Sequence, residues 1–156
     1  MAERDDAKHE QAVLAANQGL YDAIEAGDLD LMRSVWAPGD ETVCVHPGSE
    51  HITGTSSILR SWAVVMANTG YIQFILSGVS VTLMPRTAGD VADVEPMMAV
   101  VSCTENVLSE AAGESVQTFA GGRAVANNVL VRTPTGWKIW MHHSSPVMMP
   151  EEVEGP

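Results

Sequence analysis

The sequence predicts an α+β domain in which three N-terminal helices cover a curved antiparallel sheet. Two observations carry this reading. Apolar residues recur at helical spacing up to about residue 68, and from residue 71 they alternate at the spacing of strands. Turn residues then divide the second half into segments suited to antiparallel connections.

The first helix is expected from about Asp6 to Ala26, with Val13, Leu20, Tyr21 and Ile24 along one stripe. Gly27 is placed as its stop, and Asp28 as the N-cap of a short second helix. Leu31, Met32, Val35 and Trp36 give that helix an apolar face, and Pro38-Gly39 breaks it. Glu41 to Val45 reads as a short strand ended by Pro47-Gly48. A third helix is expected from about Thr55 to Asn68. It buries Ile58, Leu59, Trp62, Val65 and Met66 and is ended by Gly70.

The remainder is β. Tyr71 to Leu76 and Val79 to Met84 alternate as two strands, and Pro85 to Asp90 is a turn. Met97 to Leu108 is a long strand, and Gly113-Glu114 turns into the next. Val116 to Arg132 follows, with a bulge expected at Gly121-Gly122. Pro134-Thr135-Gly136 makes the last hairpin, and Trp137 to Ser145 closes the sheet. Helices followed by strands segregate to one face of an antiparallel sheet.

A chain of 156 residues is long enough to bury one sizeable core. Its formal net charge is −12, with only eight Lys and Arg. Such a surface repels phosphate backbones and anionic lipid, so neither nucleic acid nor membrane is expected as a partner. The acidic head, residues 1–8, and the acidic tail, residues 148–156, are expected to be flexible around one domain over residues 9–147. Cys44 and Cys103 each fall within a strand and are read as buried free thiols. The N-terminus carries no signal-peptide pattern, and no apolar run reaches the ~20 residues that span a bilayer. A cytoplasmic location is expected.

Ala26-Gly27-Asp28, Val45-His46-Pro47-Gly48, Gly54, Trp62 and Trp137 through His142-His143-Ser144-Ser145-Pro146 occur in a telling order. With them the chain resembles the nuclear transport factor 2-like superfamily, and within it the SnoaL-like and ketosteroid-isomerase-like proteins. The likeness covers about Val13 to Pro146. Cys103-Thr104-Glu105-Asn106 and Asn127-Asn128-Val129 also match patterns seen in SnoaL-like members, some encoded with polyketide and enediyne biosynthesis enzymes. The resemblance implies a cone-shaped, cystatin-like sheet with a pocket under the helices, and a homodimer through the outer sheet face. It implies no single reaction. The superfamily holds isomerases, cyclases, dehydratases, epoxide hydrolases and non-catalytic association domains, so the site must decide.

In ketosteroid isomerases a general-base aspartate precedes a proline at the end of the first strand. Here that place holds His46, an imidazole able to move a proton near neutral pH, or else a strand-end histidine with a structural bond. The isomerase phenol maps to Leu20, with Tyr21 one residue away and so ~100° around the helix. The late aspartate maps near Asn127-Asn128, where the amide of Asn128 can polarise a carbonyl but lacks a carboxylic acid's acidity. Glu105 lies mid-strand among apolar residues. Facing the cavity it would be an acid or base of raised pKa; facing outward it would serve an interface.

His142 and His143 alternate to opposite faces. His143 shares its parity with Trp137, Ile139 and Met141, so it is taken as the cavity residue, and Trp140 and His142 as outward. Trp36, Trp62 and Phe74 are candidates to line the cavity, or are ordinary core. Adjacent strand histidines diverge, so no metal is expected, and no cofactor fingerprint is present. The expected function is binding of a small, largely apolar molecule in a cavity of ~300 to 1,000 Å³. The expected chemistry is isomerisation, cyclisation or dehydration of a carbonyl compound by proton transfer from His46 or Glu105. The alternative is a non-catalytic dimeric association module.

Overall fold

The computed structural model describes residues 4–86, 94–111 and 120–148. The Gly113-Glu114 turn, most of the Pro85 to Asp90 turn, and the extremes of head and tail lie outside the described residues.

Helix α1 (Asp6–Ala26) is capped by Asp5, whose carboxylate accepts from the Lys8 amide. It stops at Gly27, which takes the left-handed conformation (φ 62°) that a side chain disfavours. Asp28 accepts from the Leu31 amide and caps α2 (Leu29–Val35), a contact typically worth ~1 kcal/mol. The two helices pack closely because of Gly19. A Cβ there would lie 2.9 Å from Cγ1 of Val35.

Strand β1 (Val43–Val45) is followed by β2 (Ile52–Thr53), a two-residue strand that the sequence reading missed. Helix α3 (Thr55–Ala67) ends at Asn68 rather than Gly70, which already lies within β3 (Thr69–Met84). The two strands expected between Tyr71 and Met84 are one. The ladder to β4 (Met98–Ala111) shifts between Ser77 and Ser80, where Gly78 has φ 59°. This left-handed glycine lets the strand bulge and continue instead of turning back. Strand β5 (Ala120–Thr133) pairs with β4 in unbroken register through Gly121 and Gly122, so the bulge expected there is absent. Strand β6 (Gly136–Pro146) completes the sheet.

The strand order is β2-β1-β6-β5-β4-β3. The sheet is antiparallel as expected, apart from the short pairing of β1 with β6, which is parallel. The core lies between the helices and the inner face of this curved sheet. Leu20, Tyr21 and Ile24 of α1, Met32 of α2, and Ile58 and Trp62 of α3 meet Val101, Leu130 and Ile139 there. Cys44 and Cys103 are buried free thiols. Among the described residues, no helix is long and apolar enough to cross a membrane.

Candidate functional site

A cavity of ≈ 200 Å³ opens between α1, α3 and the inner sheet face. It is smaller than expected. Apolar walls come from Ile24, Val65, Ile72, Phe74 and Ala124, and polar groups come from His46, Glu105, His142 and Ser144.

His46 follows directly on β1, at the end of its parallel pairing with β6. Its Nε2 meets Ser61 Oγ of α3 at 2.6 Å, and its ring stands edge-on to Trp62 at 4.6 Å between centroids. Burial pushes its pKa below the ordinary 6.5, because a charged imidazole would lose hydration. At neutral pH it is an uncharged base.

Glu105 faces inward from the middle of β4 and is buried. Ser144 donates its hydroxyl to Oε1. Burial raises the carboxyl pKa above the ordinary 4.5, against smaller lowering effects from Ser144 and Tyr21. The carboxyl thus holds its proton to higher pH than an exposed glutamate does, in an apolar wall.

The histidine doublet is resolved by a bulge, and against the alternation argument. Val129 pairs with Met141 but Leu130 with Ile139, so Trp140 is an extra residue in β6. One extra residue reverses the parity of everything after it. Hence His142 and Ser144 are buried and face the cavity, while His143 is exposed on the other face. The placing of His143 in the cavity and of His142 outside it is corrected on this ground.

His142 donates from Nδ1 to Oδ1 of Asn128 at 2.6 Å. Desolvation first, then the neighbouring His46 and His143, lower its pKa to about 3. Asn128 is buried behind His142, and its Nδ2 donates to Asn17 Oδ1 at 2.7 Å and to the Tyr21 hydroxyl at 3.2 Å. Nδ2 and Oδ1 both meet neighbouring side chains, and Asn128, expected to bind ligand, stands behind the residues that line the cavity. Tyr21 packs on Phe74 and His142. Its hydroxyl contacts Cys103 Sγ at 3.8 Å, and burial beside Glu105 drives its pKa upward. It too is a buried support behind the cavity wall. Trp36 ends α2 and bridges to Ile139, away from the cavity; it is core. Trp62 and Phe74 do line the cavity.

Four of the expected residues thus share one wall system: His46, Glu105, Trp62 and Phe74. Sequence reasoning missed Ser144, Ser61 and Asn17, and misplaced His142. Asn17 had left a signal. It falls between Val13 and Leu20 on the buried stripe of α1, where a lone amide needs a partner.

A SnoaL-like domain model matches residues 13–150. Among solved structures, a candidate dehydratase of the NTF2-like family from Streptomyces avermitilis is 37% identical. The match has a TM-score of 0.79 and covers 93% of this chain and 100% of that one. A candidate calcium/calmodulin-dependent protein kinase type II association domain from Thiobacillus denitrificans is 25% identical over 86% of this chain and 94% of that one (TM-score 0.67). An NTF2-like superfamily protein from Salmonella enterica shares 17% identity over 97% of this chain and 100% of that one, with a TM-score of 0.78. None of the curated proteins matches the chain.

Proposed function

We propose that this chain, which belongs to the SnoaL-like family of the nuclear transport factor 2-like superfamily, is a small dehydratase acting on a neutral β-hydroxy carbonyl compound. The observation that carries this is the pairing, in one apolar cavity, of an uncharged imidazole with a carboxyl of raised pKa. Two groups whose environments push them towards opposite tasks make an acid and a base. The candidate dehydratase from Streptomyces avermitilis, at 37% identity, supports the choice of reaction.

In this reading His46 removes the proton α to the carbonyl. Glu105 gives its proton to the departing β-hydroxyl, which leaves as water, and the electron pair of the broken C–H bond becomes the new C=C bond. The imidazolium of His46 and the carboxylate of Glu105 then exchange a proton through solvent. The ≈ 200 Å³ of space suits a small molecule, and among the described residues the lining holds no Lys or Arg, which disfavours an anion.

The test is turnover of a panel of small β-hydroxy ketones, followed by the absorbance of the conjugated product. His46→Ala and Glu105→Gln should each lower the rate by ~10² to 10⁴ while circular dichroism stays unchanged. Turnover untouched by both substitutions, or no turnover of any panel member, overturns the reading.

The working unit is proposed to be a homodimer. Ile75, Leu108 and Val125 are exposed on the outer sheet face, around a shallow surface shared with Asn106 and Arg123. An apolar face of this kind calls for cover, and the resemblance assigns the same face to dimerisation.

A further inference from the structure

His142 is sealed on one side and open on the other. Its Nδ1 meets a carbonyl oxygen, which can only accept, so Nδ1 carries the proton. The Asn128 amide is oriented with Nδ2 toward Asn17 and Tyr21. Both N–H groups of Nδ2 are used, on Asn17 Oδ1 and the Tyr21 hydroxyl, and only Oδ1 remains for the imidazole. The other ring nitrogen, Nε2, has no hydrogen-bond partner among the described residues. Unlike the indole nitrogens of Trp36 and Trp62, it is not among the sealed, unsatisfied atoms. The ring itself forms part of the cavity wall.

We infer that Asn128, braced by Asn17 and Tyr21, is a positioning residue that locks His142 in the Nδ1–H tautomer, so that the cavity presents the Nε2 lone pair and selects ligands that bring a hydrogen-bond donor to it.

The ligand class is an alcohol, phenol or enol rather than an ether, ketone or ester alone. A neutral imidazole fixed in one tautomer accepts but cannot donate at Nε2. The lock survives acid because burial and the neighbouring His46 and His143 all oppose a second proton on the ring. The inference rests on the proposed function only for the place where ligands bind. The tautomer is a property of the free protein.

The experiment is nitrogen-15 NMR of the histidine rings in the intact protein, free and with phenol or its methyl ether, anisole, as probes. His142 should show a protonated Nδ1 and a bare Nε2. Phenol should shift Nε2 and bind about tenfold more tightly than anisole, the loss expected for one buried hydrogen bond. Asn128→Asp places a carboxylate against Nδ1 and should protonate the ring. It should therefore abolish the preference while leaving the cavity in place. A protonated Nε2 in the unmodified protein, equal binding of phenol and anisole, or no phenol-dependent shift at millimolar concentration overturns the inference. A locked tautomer with donor-selective binding but no turnover would instead count against the dehydratase reading alone.

Discussion

Ser144 and Glu105 hydrogen-bond to each other although a whole strand, β5, lies between them. The residues of β5 beneath that bond are Ala124, which pairs with Glu105, and Ala126, which pairs with Ser144. Both are buried and small enough to let the two polar side chains meet above the sheet. The hydroxyl favours the ionised carboxyl, opposing the larger effect of burial. Ser144→Ala should therefore move the Glu105 titration to higher pH, read from the carboxyl stretch in infrared spectra. A move to lower pH would contradict the assigned bond.

Ala124 also forms part of the cavity wall. Ala124→Leu should fill much of the space and push Glu105 away from Ser144. Overpacking of this size costs ~1–3 kcal/mol of stability. Binding of small apolar probes should weaken at least ~10-fold, since a blocked cavity forfeits more than one contact. Calorimetric titration with unchanged affinity would place the ligand elsewhere.

Two of the buried ionisable groups, Glu105 and His142, give opposite slopes to stability against pH. Glu105 has a folded pKa raised above 4.5, so its contribution is fully present below 4.5 and is lost as pH rises through the folded value. His142 has a folded pKa lowered from 6.5 to about 3, so its contribution is present above 6.5 and is lost as pH falls towards 3. Above 4.5 the folded state retains more of the Glu105 proton than the unfolded chain does, and below 6.5 it lacks a proton on His142 that the unfolded chain has gained. The two slopes therefore oppose each other between 4.5 and 6.5. These residues together should flatten the profile there, with losses on either side. Glu105→Gln should remove the alkaline loss and make the acid loss begin near 6.5. Thermal melts across pH that keep the unmodified profile would show that Glu105 is not held protonated.

The outer face offers a separate test. Val125 is 45% exposed and Ile75 62% exposed on a sheet face that is proposed to meet its copy. A stable dimer there buries at least ~1,200 Å². Sedimentation should give a dimer at tens of micromolar, and the double substitution Ile75→Lys, Val125→Lys should give a folded monomer. A monomer before substitution would refute the assembly.

The helices were legible because each depends on local signals. The stripe of Val13, Leu20, Tyr21 and Ile24, the stop at Gly27 and the cap at Asp28 all act within a few residues. The inward placement of Glu105 was one of two alternatives, and only the side of the sheet that the helices cover decides it. The parity of β6 could not be counted from its own residues. The extra position of Trp140 is defined by what Val129 and Leu130 pair with on another strand. The same holds at Gly78, where a glycine that reads as a break instead carries β3 onward. Strand β2 is too short to show a period at all. The parallel contact of β1 with β6 joins residues almost a hundred positions apart, beyond any local pattern.

The extra residue in β6 has a consequence for tolerance to change in chain length. With Trp140 removed, Ile139 and Met141 would become neighbours opposite Leu130 and Val129, which are already neighbours. The strand would alternate regularly and His142 would still point inward. If instead the strand lost its bulge by slipping one place, His143 would take the inward position. The doublet thus offers an imidazole to the interior after either accident, a redundancy that a single histidine would not provide. Only the deletion, however, keeps Asn128 opposite its imidazole.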